Sequence, residues 1–292
     1  MPNARTSDGL VIFYSRLGGH GPPVLLAHAT GFCGEVWRPV AERLATTFTC
    51  WALDFRGHGR SERPGEGAFG WAGTALDVLA VIDAVDSIDP AAGPWSAAGH
   101  SMGGAALLLA EQARPGTFGS MWLFEPIVMP PDVAGVGGDV AGGLGLALSQ
   151  GAARRTRSFA SRALARENYR MKPPMASFHP HALDGYLDGG FREADDGSVE
   201  LSCRPSDEAE FFMMGSTHTA QEHLSDVECP VAVVHGDTSR PGPAMFAPAI
   251  AAGLAGGRLE QHPNLSHFGP MEDPDAIAES IVVSVGPPTM PA

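Results

Sequence analysis

A chain of 292 residues with 44% hydrophobic and 18% charged residues can bury a full core and is too apolar to be disordered. Its formal net charge of -14 argues against nucleic acid or an anionic membrane surface as the natural partner, since both would repel it. The four cysteines, Cys33, Cys50, Cys203 and Cys229, are scattered without a C-x-x-C pair, so no zinc site, redox motif or disulfide framework is expected.

The N-terminal "MPNARTSDGLVIFY" lacks a basic stretch followed by an apolar one, and no apolar run reaches membrane-spanning length. A soluble cytoplasmic protein is the expectation, and a homodimer stays open. In chain order, residues 10–18 read as a first strand. The apolar run 22–31, "PPVLLAHATG", ends in polar residues as a buried strand leaving a sheet would, and 48–61 repeats that form. Residues 71–88 place Ala75, Val78, Leu79, Ile82 and Val85 at helical spacing. A short strand at 95–101, a helix stopped by Pro115-Gly116 and a strand at 120–128 follow. From about 130 to 226 the alternation breaks into glycine-, arginine- and aromatic-rich sequence with long helical-looking pieces such as 153–169, "ARRTRSFASRALARENY". It returns with strand 229–237, helix 243–255, strand 258–264 and helix 273–285. This pattern predicts a mostly parallel central sheet with helices on both faces: one α/β core domain over 1–129 and 227–292, and an inserted, mainly helical cap over 130–226.

At the seam between strand 95–101 and its helix stands "GHSMGG", Gly99 to Gly104. A G-x-S-x-G between a buried strand and a helix is a nucleophile elbow, in which a strained turn exposes Ser101. Gly99 and Gly103 must lack side chains for strand and helix to approach, and Gly104, Ala105 and Ala106 continue that requirement. The phosphate-binding spacings G-x-x-x-x-G-K-[ST] and G-x-G-x-x-G are both missing, and a plain structural turn with an incidental serine is the bland alternative.

With "GHSMGG", the segments "LLAHATGF" (25–32), "LDFRGHGRSERP" (53–64), "VVHGD" (233–237) and "LSHFGPMEDPDAIAESI" (265–281) resemble the α/β-hydrolase superfamily over nearly the whole chain. The resemblance implies the α/β-hydrolase fold and an oxyanion hole made by the N–H of Met102, after the nucleophile, and one from the loop following the "AH" strand. That second donor would be Thr30, with Ala29 and Gly31 as alternatives, because His28-Ala29 replaces the common His-Gly. His28 reads as structural, and Asp54, Arg56, Gly57 and Gly59 as an architectural turn.

A serine hydroxyl needs a base within hydrogen-bond reach. Of 11 histidines, His267 lies in the loop before the last helix, where the superfamily's base stands by motif. His100 adjoins the serine, but its side chain is expected to point away. The acid has two stations. Asp237 follows the strand "PVAVVHGD" but stands one residue after Gly236, where the usual acid stands three after. Glu125 ends the strand "WLFEPIV", a station resembling that of zearalenone-type lactone hydrolases. Both preserve the order Ser, acid, His.

These residues imply acyl transfer on an ester or lactone through an acyl-enzyme, with no cofactor or metal required. In the cap, Phe178, Tyr186, Phe212 and Met213, with Phe32 from the core, would line a pocket for a small apolar or aromatic substrate. Arg154, Arg155, Arg157, Arg162 and Arg166 are expected on a solvated helix face. A C–C bond hydrolase or cofactor-free oxygenase or perhydrolase on the same scaffold, and a non-catalytic receptor, are the competing readings.

Overall fold

The structure, a computed structural model, describes residues 2–65, 68–89, 95–129, 138–215, 217–239 and 241–286. Its eight-stranded sheet contains β1 (Asn3–Arg5), β2 (Val11–Gly19), β3 (Pro23–Ala27), β4 (Thr49–Leu53), β5 (Trp95–His100), β6 (Phe118–Phe124), β10 (Val231–His235) and β11 (Gly257–Gln261), in the spatial order β1-β2-β4-β3-β5-β6-β10-β11. The β1–β2 and β2–β4 pairs are antiparallel and all the others parallel. The strand order reverses direction around β3 and β5. The carboxyl ends of β3, β5, β6 and β10 therefore open on one edge, where open α/β sheets place their sites.

Successive strand residues point to opposite faces, and both faces are apolar, as a covered parallel sheet requires. Leu25, Ala97, Met121, Leu123 and Val233 meet α2 (Trp71–Asp86), α3 (Met102–Ala113) and α8 (Ala247–Gly253) in one core. Leu26, Ala98, Trp122, Phe124 and Val234 meet α1 (Arg38–Leu44) and α10 (Pro274–Val285) in the other. Trp122, with no exposed area, donates its indole N–H to Ser280 Oγ at 2.7 Å, so its polar atom is satisfied where its ring is buried. All four cysteines are buried free thiols.

Between β6 and β10 the chain leaves the sheet. The first part of that stretch, 130–137, including the expected cap boundary, lies outside the described residues. The remainder holds helices α4 (Gly138–Ala153), α5 (Arg162–Arg170), α6 (Pro180–Gly189) and α7 (Pro205–Met213). It also holds a three-stranded antiparallel sheet of β7 (Ser158–Phe159), β8 (Phe191–Glu193) and β9 (Val199–Leu201), in the order β7-β9-β8, which the sequence pattern did not predict. The 153–169 helix expected from "ARRTRSFASRALARENY" is divided. Residues 154–161 form a turn and the short β7, and Ser161 then caps α5 by accepting the Leu164 N–H. The five arginines therefore do not share one helix face: Arg154, Arg155 and Arg157 follow α4, and only Arg162 and Arg166, one turn apart, lie in α5. Arg155 turns inward and pairs with Glu208, while its guanidinium donates to the hydroxyls of Tyr169 and Tyr186.

The turn after β4 is built on a buried ion pair. Arg56 donates its backbone N–H and its guanidinium to the carboxylate of Asp77, and both side chains are essentially unexposed. Burial raises Asp77 to about 6, against the lowering by Arg56. Losing one partner of such a pair strands the other charge. Arg56→Ala is expected to cost about 3 kcal/mol of unfolding free energy, read from urea denaturation, with a small effect from the exposed-pair variant Arg114→Ala as control.

Candidate active site

At the carboxyl edge, β5 turns sharply into α3, and Ser101 occupies the turn with φ 55° and ψ -114°. Among the described residues only one other non-glycine has positive φ, Glu125 at φ 45°, just past the end of β6. Left-handed backbone at a residue with a Cβ is strained and persists only where its surroundings enforce it. Here Ser101 N–H donates to the Phe124 carbonyl at 2.9 Å, and Ile127 N–H donates to the Ser101 carbonyl at 3.2 Å. Glu125 N–H donates to the Val234 carbonyl at 2.8 Å. The glycines make room: a Cβ on Gly103 would stand 2.3 Å from the Ala27 carbonyl oxygen, and one on Gly99 2.8 Å from the Gly104 backbone.

These two strained residues meet at one histidine. His267 lies in the loop between β11 and α9 (Gly269–Glu272). Its Nδ1 is 2.6 Å from Glu125 Oε2 and its Nε2 is 3.2 Å from Ser101 Oγ. A carboxylate only accepts, so the imidazole proton sits on Nδ1 and Nε2 is free to accept from the serine. Glu125 is buried, and its other oxygen accepts the Gly236 N–H at 2.9 Å. The loop carrying His267 is fixed by Glu272, which accepts from the Ser266 N–H at 2.8 Å and the Ser266 hydroxyl at 2.7 Å. Asp237 takes no part in this contact: its exposed carboxylate accepts the N–H of Ser239 at 2.8 Å and its hydroxyl at 2.5 Å.

His100 serves the neighbouring loop: its Nε2–H donates to the His267 carbonyl at 2.7 Å, with the two rings 4.9 Å apart. Burial, and then the neighbouring His267, push its pKa well below the ordinary histidine value, so it is a neutral support. Adjacency to the serine was the available signal, but it could not reveal a bond to a loop 167 residues away.

Facing the elbow is the loop leaving β3. Gly31 N–H donates to His58 Nε2 at 3.0 Å and Phe32 N–H to the Ala29 carbonyl at 3.2 Å. Of the expected oxyanion donors, Thr30, Ala29 and Met102 keep N–H groups without a protein acceptor among the described residues, and Gly31 does not. Met102 opens α3, where first-turn N–H groups have no intrahelical partner.

Beside His267 lies an aromatic group. Phe32 packs against Phe178 (5.9 Å between ring centroids), Tyr186 (5.4 Å) and Phe268 (6.2 Å), and Phe268 packs against His267 at 5.3 Å. Phe268 was missed because its neighbour His267 drew the chemical reading. Phe212 and Met213 do not join: Phe212 is half-buried with its carbonyl against Gly145, and Met213 is 52% exposed. The inward aromatic of that helix is Phe211, packed on His58 at 5.2 Å and Phe69 at 5.1 Å. Among the described residues no group of three metal-ligating side chains is assembled, and no helix is long and apolar enough to cross a membrane.

A mostly parallel sheet with a strained serine between strand and small-residue helix, and a histidine and carboxylate converging on it, defines the hydrolase class of α/β proteins. Residues 24–280 match the sequence profile of the alpha/beta hydrolase family, and the chain belongs to that family. Human monoglyceride lipase is 29% identical over 133 residues, 44% of each chain. The matched regions span from about a quarter to less than half the length of the curated relatives. Among solved structures, E-2-(acetamidomethylene)succinate hydrolase superposes with a TM-score of 0.75 at 20% identity, covering 97% of this chain and 98% of that one. The enol-lactonase of Burkholderia xenovorans superposes with a TM-score of 0.66 at 20% identity, covering 97% and 98%.

Because a Cβ at residue 103 would press on main-chain atoms of β3 that have no room to yield, Gly103→Ala is expected to destabilise the fold by about 2 kcal/mol, seen as a lower melting temperature in circular dichroism.

Proposed function

We propose that this protein is a serine hydrolase that cleaves a carboxylic ester or lactone of a small apolar or aromatic molecule. The observation that carries the reading is the continuous contact Ser101–His267–Glu125, at 3.2 and 2.6 Å. The relatives named for lipase and enol-lactonase activity support the choice of ester or lactone bond.

In this reading His267 Nε2 takes the Ser101 proton as Oγ attacks the carbonyl carbon, and Glu125 stabilises the imidazolium through Nδ1–H. The tetrahedral oxyanion is held by the Met102 N–H and the Thr30 N–H. His267 then protonates the leaving alcohol, and in the second half it deprotonates the water that releases the acid from Ser101. The segment between β6 and β10 acts as the cap. It supplies Phe178 and Tyr186, which with Phe32 and Phe268 offer ring faces to the acyl or alcohol portion. Its ion pair between Asp207 and Arg63, 2.7 Å, fastens it to the loop after β4. The reading requires no cofactor or metal.

The test is turnover of short-chain p-nitrophenyl esters and of simple lactones. Ser101→Ala is expected to reduce kcat to background with the melting temperature retained, and absence of wild-type turnover on both panels would overturn the reading. For the acid, Glu125→Gln is expected to lower kcat by about 10³-fold or more, whereas Asp237→Asn leaves it within a few-fold. The opposite ranking would move the acid to Asp237.

A further inference from the structure

We propose that His58 is a positioning residue for the oxyanion loop, its neutral imidazole taking up the Gly31 N–H so that the loop presents the Thr30 N–H to the substrate carbonyl. The proposal rests on the serine-hydrolase reading above and extends it to a residue of the turn after β4.

A loop that leaves a parallel strand carries successive N–H groups pointing in different directions, and catalysis needs a defined one aimed at the developing negative charge. Between Ala29 and Phe32 two of the four are committed: Phe32 to the Ala29 carbonyl and Gly31 to His58 Nε2. Of the two that remain, Ala29 is buried and Thr30 is half-buried. The bond to His58 is thus the choice of register. Shifting it by one residue would consume Thr30 instead.

His58 is built for this role. It has no exposed area, and its Nδ1–H donates to the Arg56 carbonyl at 3.0 Å, which fixes the tautomer and leaves Nε2 as an acceptor. The ring is held between His28 (5.1 Å) and Phe211 (5.2 Å). Arg56, whose carbonyl it grips, is anchored by the buried pair with Asp77. Burial lowers His58 to about 4, so it stays an acceptor at neutral pH. Two further bonds tie the same segments: Phe55 N–H donates to His28 Nε2 at 3.0 Å, and Gly34 N–H donates to Asp54 Oδ1 at 2.7 Å. Gly31 is the point of purchase. Its φ is +80°, and a Cβ there would meet the Glu208 carboxylate at 2.5 Å and Arg155 Nη1 at 3.4 Å. The loop is therefore gripped from the core by His58 and flanked on its other side by the Arg155–Glu208 pair.

Two measurements test this. The first is two-bond ¹⁵N–¹H correlation on the ¹⁵N-labelled wild-type protein. A neutral His58 protonated on Nδ1 and bare on Nε2 at pH 7 is expected, and an Nε2-protonated or charged ring overturns the proposal. The second compares His58→Leu and His58→Gln in kcat, in KM for a p-nitrophenyl ester, and in affinity for an alkyl boronic acid, whose tetrahedral adduct on Ser101 places an oxygen in the hole. With folding verified by circular dichroism, His58→Leu is expected to lower kcat and boronate affinity about 100-fold at a nearly unchanged KM, and His58→Gln, whose amide oxygen can accept, to recover part of both. Equal loss in KM, or a folded His58→Leu with wild-type kcat and boronate affinity, overturns it. Should His58→Leu fail to fold, the tautomer and the His58→Gln kinetics decide. A wild-type protein that neither turns over esters nor binds the boronate overturns the hydrolase reading itself. Wild-type turnover with an indifferent His58 overturns the positioning role alone.

Discussion

Two residues in left-handed backbone, Ser101 and Glu125, stand at the ends of adjacent strands, and the site depends on the lacing that keeps them there. Each conformation costs on the order of 1–3 kcal/mol, a strain the chain would release if it could. Hydrogen bonds between the ends of β5, β6 and β10 prevent that, each contributing about 1 kcal/mol, as does the Gly236 N–H on the Glu125 carboxylate. Gain and strain are of similar size, so packing decides: Gly99, Gly103 and Gly104 let α3 lie against β3 and β5. The serine and the carboxylate are thus parts of one rigid seam, and His267 bridges them from a loop fixed by Glu272 and His100.

The opposite wall follows the same logic. Asp54, Arg56, Gly57 and Gly59 read as an architectural turn in the sequence, and in the structure the turn does hold itself together: Asp54 accepts the Arg60 N–H at 2.9 Å. It also reaches across to the loop leaving β3, through His28, His58 and Asp54. The same atoms thus shape both the turn and the loop that faces the elbow.

What could be read in the sequence was whatever short-range pattern determines. The elbow was legible because its glycines and strand–helix setting are local, and the sheet because apolar runs alternate with helical spacing at regular intervals. Between β6 and β10 the pattern misled. The run 153–169 has helical composition, yet Ser161 offers a cap that starts a fresh helix, and Ser158–Phe159 pairs with a strand forty residues away. Arg155 looked like its neighbours because sequence does not reveal that Glu208 and two tyrosines wait for it in the interior. The choice between Glu125 and Asp237 stayed open for the same reason: both stations are chemically suitable, and only three-dimensional proximity separates a carboxylate 2.6 Å from His267 from one bonded to Ser239.

The position of Glu125 has a consequence for how such a molecule can change. Its carboxylate leaves the sheet on the same connection that begins the excursion between β6 and β10, whereas the turn after β10 spends its charge on Ser239. With Glu125 just past the end of β6, a graft that replaces the excursion must preserve the first few residues beyond Phe124, or it takes the carboxylate with it. The turn after β10 is held to that carboxylate as well, through the Gly236 N–H, and a Cβ at Gly236 would stand 2.2 Å from the Leu265 carbonyl oxygen, so it cannot be rebuilt freely either.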